Sequence, residues 1–395
     1  MSSDARRTRT VRPIPDRPPS FAEARTKRAK VRAAGMDPDY WYAAAYSSEL
    51  PRGRTLATRF WGQPIVLFRG TDGIVRALED RCAHRQLSLS GGEVNGCHLT
   101  CTYHGWTYDG WTYDGDGNVV HYAHDLFGRA RPEVKVPSHP VTTRHGLIWI
   151  FPGDPALADT RPIPDIPELS GSRPWARLDA SYTWQAHHSM IIDNVSDFTH
   201  AYLHRRYRPF WDAKLTRHEL IEDRVELSYD TFIGGGRFTS RFVDRRRVDT
   251  TSIELAFDYP YQRSDTGGSI KHWCFVLPMD RRTSRVFFIF YFDALKIPGT
   301  RRPVPHWLMP HLMRAAGALD VRPLLREDGH AVESEQLGYE RHHAAPIVEL
   351  NPAVGLFQEL TIRKWEEFLD RDRARPRPSG IASADGRVLP PFRGG

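Results

Sequence analysis

Two short loops govern what this chain can fold into. Cys82-Ala83-His84 is followed, after 16 intervening residues, by Cys101-Thr102-Tyr103-His104. Two thiols and two imidazoles in that order can share one centre only if the two loops lie side by side. The flanks, "SGGEVNG" and "HGW", are glycine-rich, so backbone N–H groups can approach whatever the loops hold. Four cysteines in 395 residues make no disulfide framework. Cys82, Cys97 and Cys101 nevertheless fall within one 20-residue stretch with histidines among them, and that clustering points to a metal.

Zinc and a [2Fe–2S] cluster both accept two Cys and two His. In a Rieske cluster two Cys hold one iron and two His the other, so each loop gives one Cys and one His, as here. Zinc fingers usually pair Cys with Cys and His with His. The spacing therefore favours a Rieske cluster on Cys82, His84, Cys101 and His104 over zinc and over unligated turn residues. Cys97 reads as a small buried thiol.

Along the chain, residues 1–35 read as a basic flexible arm ending in a short helix, and 36–158 as a first domain. From Trp41, alternating Val, Ile and Phe with a Thr71-Asp72-Gly73 turn predict short antiparallel strands. The Pro-rich "ALADTRPIPDIPELSGSRP" reads as a linker. A second domain spans 159–374, with strand-like runs such as "TTSIELAFDYPYQR" and "SRVFFIFYFDAL" bracketed by helical segments, and residues 375–395 read as a flexible tail. The fold class is α+β.

"CAHRQLSLSGGEVNGCHLTCTYHGWTYDG" resembles the cluster motif of the Rieske non-haem iron oxygenases, and "DPDYWYAAAYSSELPRG" and "HGLIWIFPGDP" around it do too. The resemblance implies an all-β Rieske domain followed by a helix-grip (START-like) domain, an antiparallel sheet wrapped on a long helix, with a mononuclear iron. The residues argue for that second metal on their own. "DNVSDFTHAYLHRRYRPF" holds Asp193, Asn194, Asp197, His200 and His204. On a straight helix His200 and His204 stand about 40° apart, with Asp197 about 60° to the other side. Imidazoles at i,i+4 can share one metal, and Ala201, where zinc proteases place Glu, argues against that class. Two His and one carboxylate form the facial triad of O₂-activating iron. The family usually has four residues between these histidines and this chain has three; His187 and His188 are the reserve candidates.

The resemblance also supplies the distant carboxylate. "LLREDGHAVESEQLGYE" is similar to the family's late helix, which maps the third ligand to Asp328, with Glu327 and Glu333 behind it. By the same resemblance Asp197 joins the two centres across a subunit boundary, linking His200 to His104 of a neighbouring chain in a ring of three. Asp197 and Asn194 are accordingly the candidate catalytic residues.

The implied protein is the oxygenase component of a multi-component system. Electrons from NAD(P)H pass through a separate reductase, with or without a ferredoxin, to the cluster, and through Asp197 to the iron. No GxGxxG stands in a strand–turn–helix context, so the reductase is a separate partner. The substrate reads as an apolar, aromatic small molecule that is hydroxylated or oxidatively O- or N-demethylated; cis-dihydroxylation is the second outcome. A Rieske electron-transfer protein and a zinc-stabilised binding protein are the rivals from other classes. The net charge of +7 is concentrated in the first 35 residues without a nucleic-acid-binding motif, which suits a solvated arm or an acidic protein partner. With no long apolar run and no apolar leader segment, the chain reads as cytoplasmic.

One oddity remains. Gly105-Trp106-Thr107-Tyr108-Asp109 is repeated at once as Gly110-Trp111-Thr112-Tyr113-Asp114. The hairpin signal Asp114-Gly115-Asp116-Gly117 follows the second copy, so the first can cap the cluster. An odd insertion would turn every later strand residue to the other face. A looped-out or bulged extension is therefore expected: a tandem duplication tolerated in a surface loop or, as the sharper reading, one whose Trp111 and Tyr113 enlarge the surface beside His104 where a partner or neighbouring subunit docks.

Overall fold

The computed structural model describes residues 17–109, 117–124, 126–130, 133–170, 175–233, 249–293, 304–305 and 308–375. After one short helix, the N-terminal half is built of short antiparallel strands. A three-stranded sheet pairs β1 (Tyr42–Tyr46) with β10 (Leu147–Ile150) and β9 (Val141–Arg144). Another joins β2 (Arg54–Phe60), β3 (Gln63–Arg69) and β4 (Val75–Glu79). A four-stranded meander, β5 (Glu93–Asn95), β6 (His98–Thr100), β7 (Thr107–Asp109) and β8 (Val119–His121), carries the second Cys/His loop between β6 and β7. The β7–β8 ladder is irregular: Thr107 faces His121 while Tyr108 faces Val119. The expected extension at residues 110–114 lies outside the described residues.

The C-terminal half is one seven-stranded antiparallel sheet. Its strands are β11 (Ala176–Trp184), β12 (Trp211–Ile221), β13 (Arg224–Ile233), β14 (Asp249–Asp258), β15 (Tyr261–Thr266), β16 (Ile270–Pro278) and β17 (Ser284–Phe292), in spatial order β11-β17-β16-β15-β14-β13-β12. Residues 273–277 of β16 and 286–292 of β17 read as unbroken apolar runs because both faces are covered there. Trp273, Phe275, Phe287, Ile289 and Tyr291 pack against Trp149 and Phe151 of the first half. Cys274, Val276, Phe288 and Phe292 face the opposite way, among residues of the helices. Those helices are α1 (Lys27–Ala33), α2 (His188–Ser196), α3 (Met309–Ala316), α4 (Arg322–His342) and α5 (Pro352–Ala374).

Three stretches differ from their sequence readings. The described part of the basic arm is built in. Arg32 is buried and donates to Ser189 at 2.7 Å, Asp193 at 2.8 Å and Glu335 at 2.8 Å, so α1 is tied to α2 and α4. The Pro-rich stretch is held down by Ile163 and Ile166, buried beside Trp41 and Trp273. The helix expected to run through His204 stops at Ser196. Asp197 accepts from Thr199 N at 2.8 Å and Thr199 Oγ1 at 2.6 Å, a local turn that competes with the helical ladder. Among the described residues no helix is long and apolar enough to cross a membrane.

Candidate metal centres

The two Cys/His loops meet at the edge of a small core. Cys82 and Cys101 are buried among Phe68, Leu78, Leu89 and Leu99, while His84 and His104 keep part of their surface exposed. The imidazole rings are 4.3 Å apart at 70°. Backbone bonds close each loop: Gln86 N donates to Cys82 O at 2.8 Å, and Cys101 N to Trp106 O at 2.8 Å. Gly105 takes φ +65°, and a Cβ there would strike Ala123. Trp106 stacks on His84 at 4.7 Å. The Tyr108 hydroxyl accepts from Ala83 N at 2.9 Å and lies within hydrogen-bond distance of Cys82 Sγ at 3.1 Å, placed to donate to the sulfur when the thiol is ionised. Two thiols on the dry side and two imidazoles on the wet side fit a Rieske cluster, with Tyr108 placed to polarise one ligand sulfur.

Cys97 corrects its expected place. It is half-exposed, next to the β5–β6 turn, and its thiol donates to Asp72 at 3.2 Å. Asp72 is held below the usual carboxylate range, first by Arg76.

In the second half, His200, His204 and Asp328 bring their ligand atoms within 4.8 Å of one another. Although no helix carries both histidines, successive turns, with Leu203 N donating to His200 O and His204 N to Ala201 O, set their rings 5.1 Å apart. Asp328 Oδ1 lies 3.3 Å from His204 Nε2 and 3.6 Å from His200 Nε2, yet it is buried without a hydrogen bond. Three donors converging without satisfying one another are the donor set of a cation, and two imidazoles with one carboxylate suit ferrous iron. Glu327 stands behind them, its Oε2 3.0 Å from His204 Nδ1, which fixes the proton there and turns the Nε2 lone pair to the centre. Burial opposes charge on His204, but Asp328 and Glu327 outweigh it and raise its pKa; burial lowers that of His200. Beside Asp328, Gly329 lets the helix lie directly on Trp184, since a Cβ would enter the indole.

The other candidates have other partners. Glu333 accepts from Gln185 N at 2.9 Å. His187 caps α2, and His188 Nε2 meets Ala34 O at 2.8 Å; both are buried against Trp61. Asp193 answers Arg32 and Gln358. Asn194 has a buried Oδ1 without a partner. Asp197 sits at the end of α2, where Asn351 Nδ2 donates to its Oδ1 at 2.8 Å. Asn351 was not singled out in the sequence. The Asn-Pro before a helical run announces its role as the cap of α5, but not its reach to Asp197 and, at 3.0 Å, to Tyr229.

An all-β cluster domain joined to a helix-backed antiparallel sheet with a His/His/Asp centre defines an oxygen-activating iron protein. Comparison with known proteins agrees. A sequence model of the Rieske [2Fe-2S] domain matches residues 40–125, and one of the vanillate O-demethylase oxygenase C-terminal domain matches 184–369. The chain is 44% identical over 356 residues to a 4beta-methylsterol monooxygenase of Methylococcus capsulatus, covering 89% of this chain and 95% of that protein. It is 41% identical over 175 residues to the oxygenase component of dicamba O-demethylase from Stenotrophomonas maltophilia, covering 42% of this chain and 47% of that one. Crystalline dicamba monooxygenase bound to 3,6-dichlorosalicylic acid shares the fold, with a TM-score of 0.67 at 24% identity over 87% of this chain and all of that one. The chain belongs to the Rieske non-haem iron oxygenases. It is an oxygenase component that uses O₂ and electrons from a partner reductase, with a [2Fe–2S] cluster and a mononuclear iron as cofactors.

Proposed function

We propose that this enzyme oxidises a methyl group on an apolar, sterol-like molecule. The observation that carries the reading is the 44% identity along nearly the whole length of a 4beta-methylsterol monooxygenase. Cys82, His84, Cys101 and His104 hold the cluster, and His200, His204 and Asp328 hold the iron. Bound iron supplies the O₂-activating chemistry, and the cluster supplies electrons for it. The protein's own residues orient the ligands. Glu327 fixes the tautomer of His204, Tyr108 hydrogen-bonds a ligand sulfur, and Asn351 with Thr199 holds one carboxylate oxygen of Asp197. The other oxygen of Asp197 then serves the link between His200 and His104 of a neighbouring chain in a homotrimer. A ferredoxin is a fitting donor for the basic surface. Oxidative demethylation of an aromatic ether is the second reading, favoured by the match of residues 184–369 to the vanillate O-demethylase domain.

Metal and acid-labile sulfide analysis of anaerobically purified protein tests the assignment. About three irons and two sulfides per chain are expected, with Asp328→Ala losing one iron and keeping both sulfides. A variant that keeps all its iron would remove Asp328 from the centre. Turnover with a reductase and a 4-methylsterol, read as hydroxymethyl product, tests the substrate class; turnover of an aryl methyl ether alone would select the second reading.

A further inference from the structure

His272 is a half-buried polar group that neither metal centre uses. It is the third residue of β16, paired in register with Ser264 on one side and Phe290 on the other. Its ring stacks on Phe290 at 4.5 Å and on Phe288 at 5.5 Å, nearly parallel to both. Its Nε2 is covered and, among the described residues, has no hydrogen-bond partner. A covered imidazole nitrogen beside phenylalanines costs stability unless something pairs with it. His272 and Phe290 both keep part of their surface uncovered on the helix-facing side of the sheet, so a ligand can reach the ring there.

This side of the sheet lies toward the iron centre. Trp184 touches Gly329, the residue after Asp328, and Trp184 packs on Phe288 at 5.7 Å. Phe288 in turn stacks on His272. Asp328 is also the charge that acts on the His272 ring. Burial nevertheless pushes the His272 pKa down to about 4, so the ring is neutral under ordinary conditions. A neutral imidazole pairs well with a hydroxyl, which can both give and take a proton, whichever tautomer is present. It offers no cation to a carboxylate.

We propose that His272 is a specificity-determining residue of the substrate pocket, where it hydrogen-bonds the single hydroxyl of an otherwise apolar, uncharged substrate. The phenylalanines beside it take the apolar body, and the hydrogen bond sets which end of the molecule faces His200, His204 and Asp328. The inference rests on the oxygenase reading above and narrows it: acids are disfavoured and neutral alcohols preferred.

Equilibrium dialysis of the metal-loaded holoenzyme tests it with three probes: a 4-methylsterol, the same molecule with hydrogen in place of its hydroxyl, and the aromatic acid dicamba. Wild type should bind the alcohol about tenfold or more tighter than its deoxy analogue and dicamba most weakly. His272→Phe extends the phenylalanine stack and should abolish the preference, bringing alcohol and deoxy analogue to equal affinity. His272→Asn, which retains a neutral hydrogen-bonding group, should restore part of it. Equal binding of alcohol and deoxy analogue by wild type, tighter binding of dicamba, failure to bind either neutral probe, or a preference that survives His272→Phe would each overturn the assignment. Iron, sulfide and the cluster's absorption are measured on the same samples. Full metal content without hydroxyl discrimination sinks the role of His272 alone, whereas missing iron or cluster sinks the oxygenase reading and this inference with it.

Discussion

At the scale of single residues, the metal centres depend on groups that never touch a metal. Glu327 holds one proton in place on His204, so Glu327→Ala should weaken ferrous-ion affinity about 10- to 100-fold, read by titrating apoprotein with Fe(II), with the cluster spectrum unchanged. The buried histidines make a separate prediction. Burial lowers the pKa of His139 and of His188 to about 4. The unfolded chain protonates them near its ordinary value of about 6.5. Below that pH the unfolded state binds protons the native state refuses, so stability is present above pH ~6.5 and falls as pH drops toward ~4, by up to about 3 kcal/mol per residue. Denaturant midpoints at neutral and mildly acidic pH check this. His188→Gln, which can still reach Ala34 O, should flatten the slope by about one proton.

At the scale of elements, legibility in the sequence followed distance along the chain. The cluster loops could be read directly because Cys82, His84, Cys101 and His104 lie close together and their spacing states their chemistry. Asp328 could not: its place on α4 opposite His200 is a tertiary fact, and only resemblance pointed to it. The helical reading through His204 failed because Asp197 spends its carboxylate on the turn at Thr199, a choice that residue periodicity does not reveal. Cys97 was expected inside because thiols usually are; a turn and Asp72 drew it outward. Arg32 was counted with a solvated arm because nothing local shows that Asp193 and Glu335 wait for it. The close seat of α4 on the sheet gives a test at this scale. Gly329→Ala must push the helix off Trp184, costing about 1–3 kcal/mol. Mononuclear iron occupancy should fall while sulfide content holds; unchanged iron and thermal stability would show that the indole yields instead.

At the scale of the whole molecule, the proposed route from cluster to iron crosses between chains, and mixing experiments can see it. On the proposed assignment, Cys82→Ser chains should lack a working cluster and Asp328→Ala chains the iron, so each should be inactive alone. Unfolded and reassembled together, they should regain turnover above either parent, because one chain's cluster then serves its neighbour's iron; mixtures no better than the parents would place the route inside one chain.

The two halves also meet within each chain. Trp61 N donates to Pro278 O at 2.7 Å and Tyr261 to Trp41 O at 3.0 Å, while β1 and β10 seal one face of the large sheet. The α1 segment, ahead of the cluster domain in sequence, closes around Arg32 onto helices that follow it. The consequence is one of inheritance and engineering. A chimera cut at the apparent seam near residue 158 would set α1 and the β1–β10 face of one parent against helices and a sheet face of the other, so a working exchange of halves must also match the partners of Arg32, Trp61 and Tyr261 across the cut.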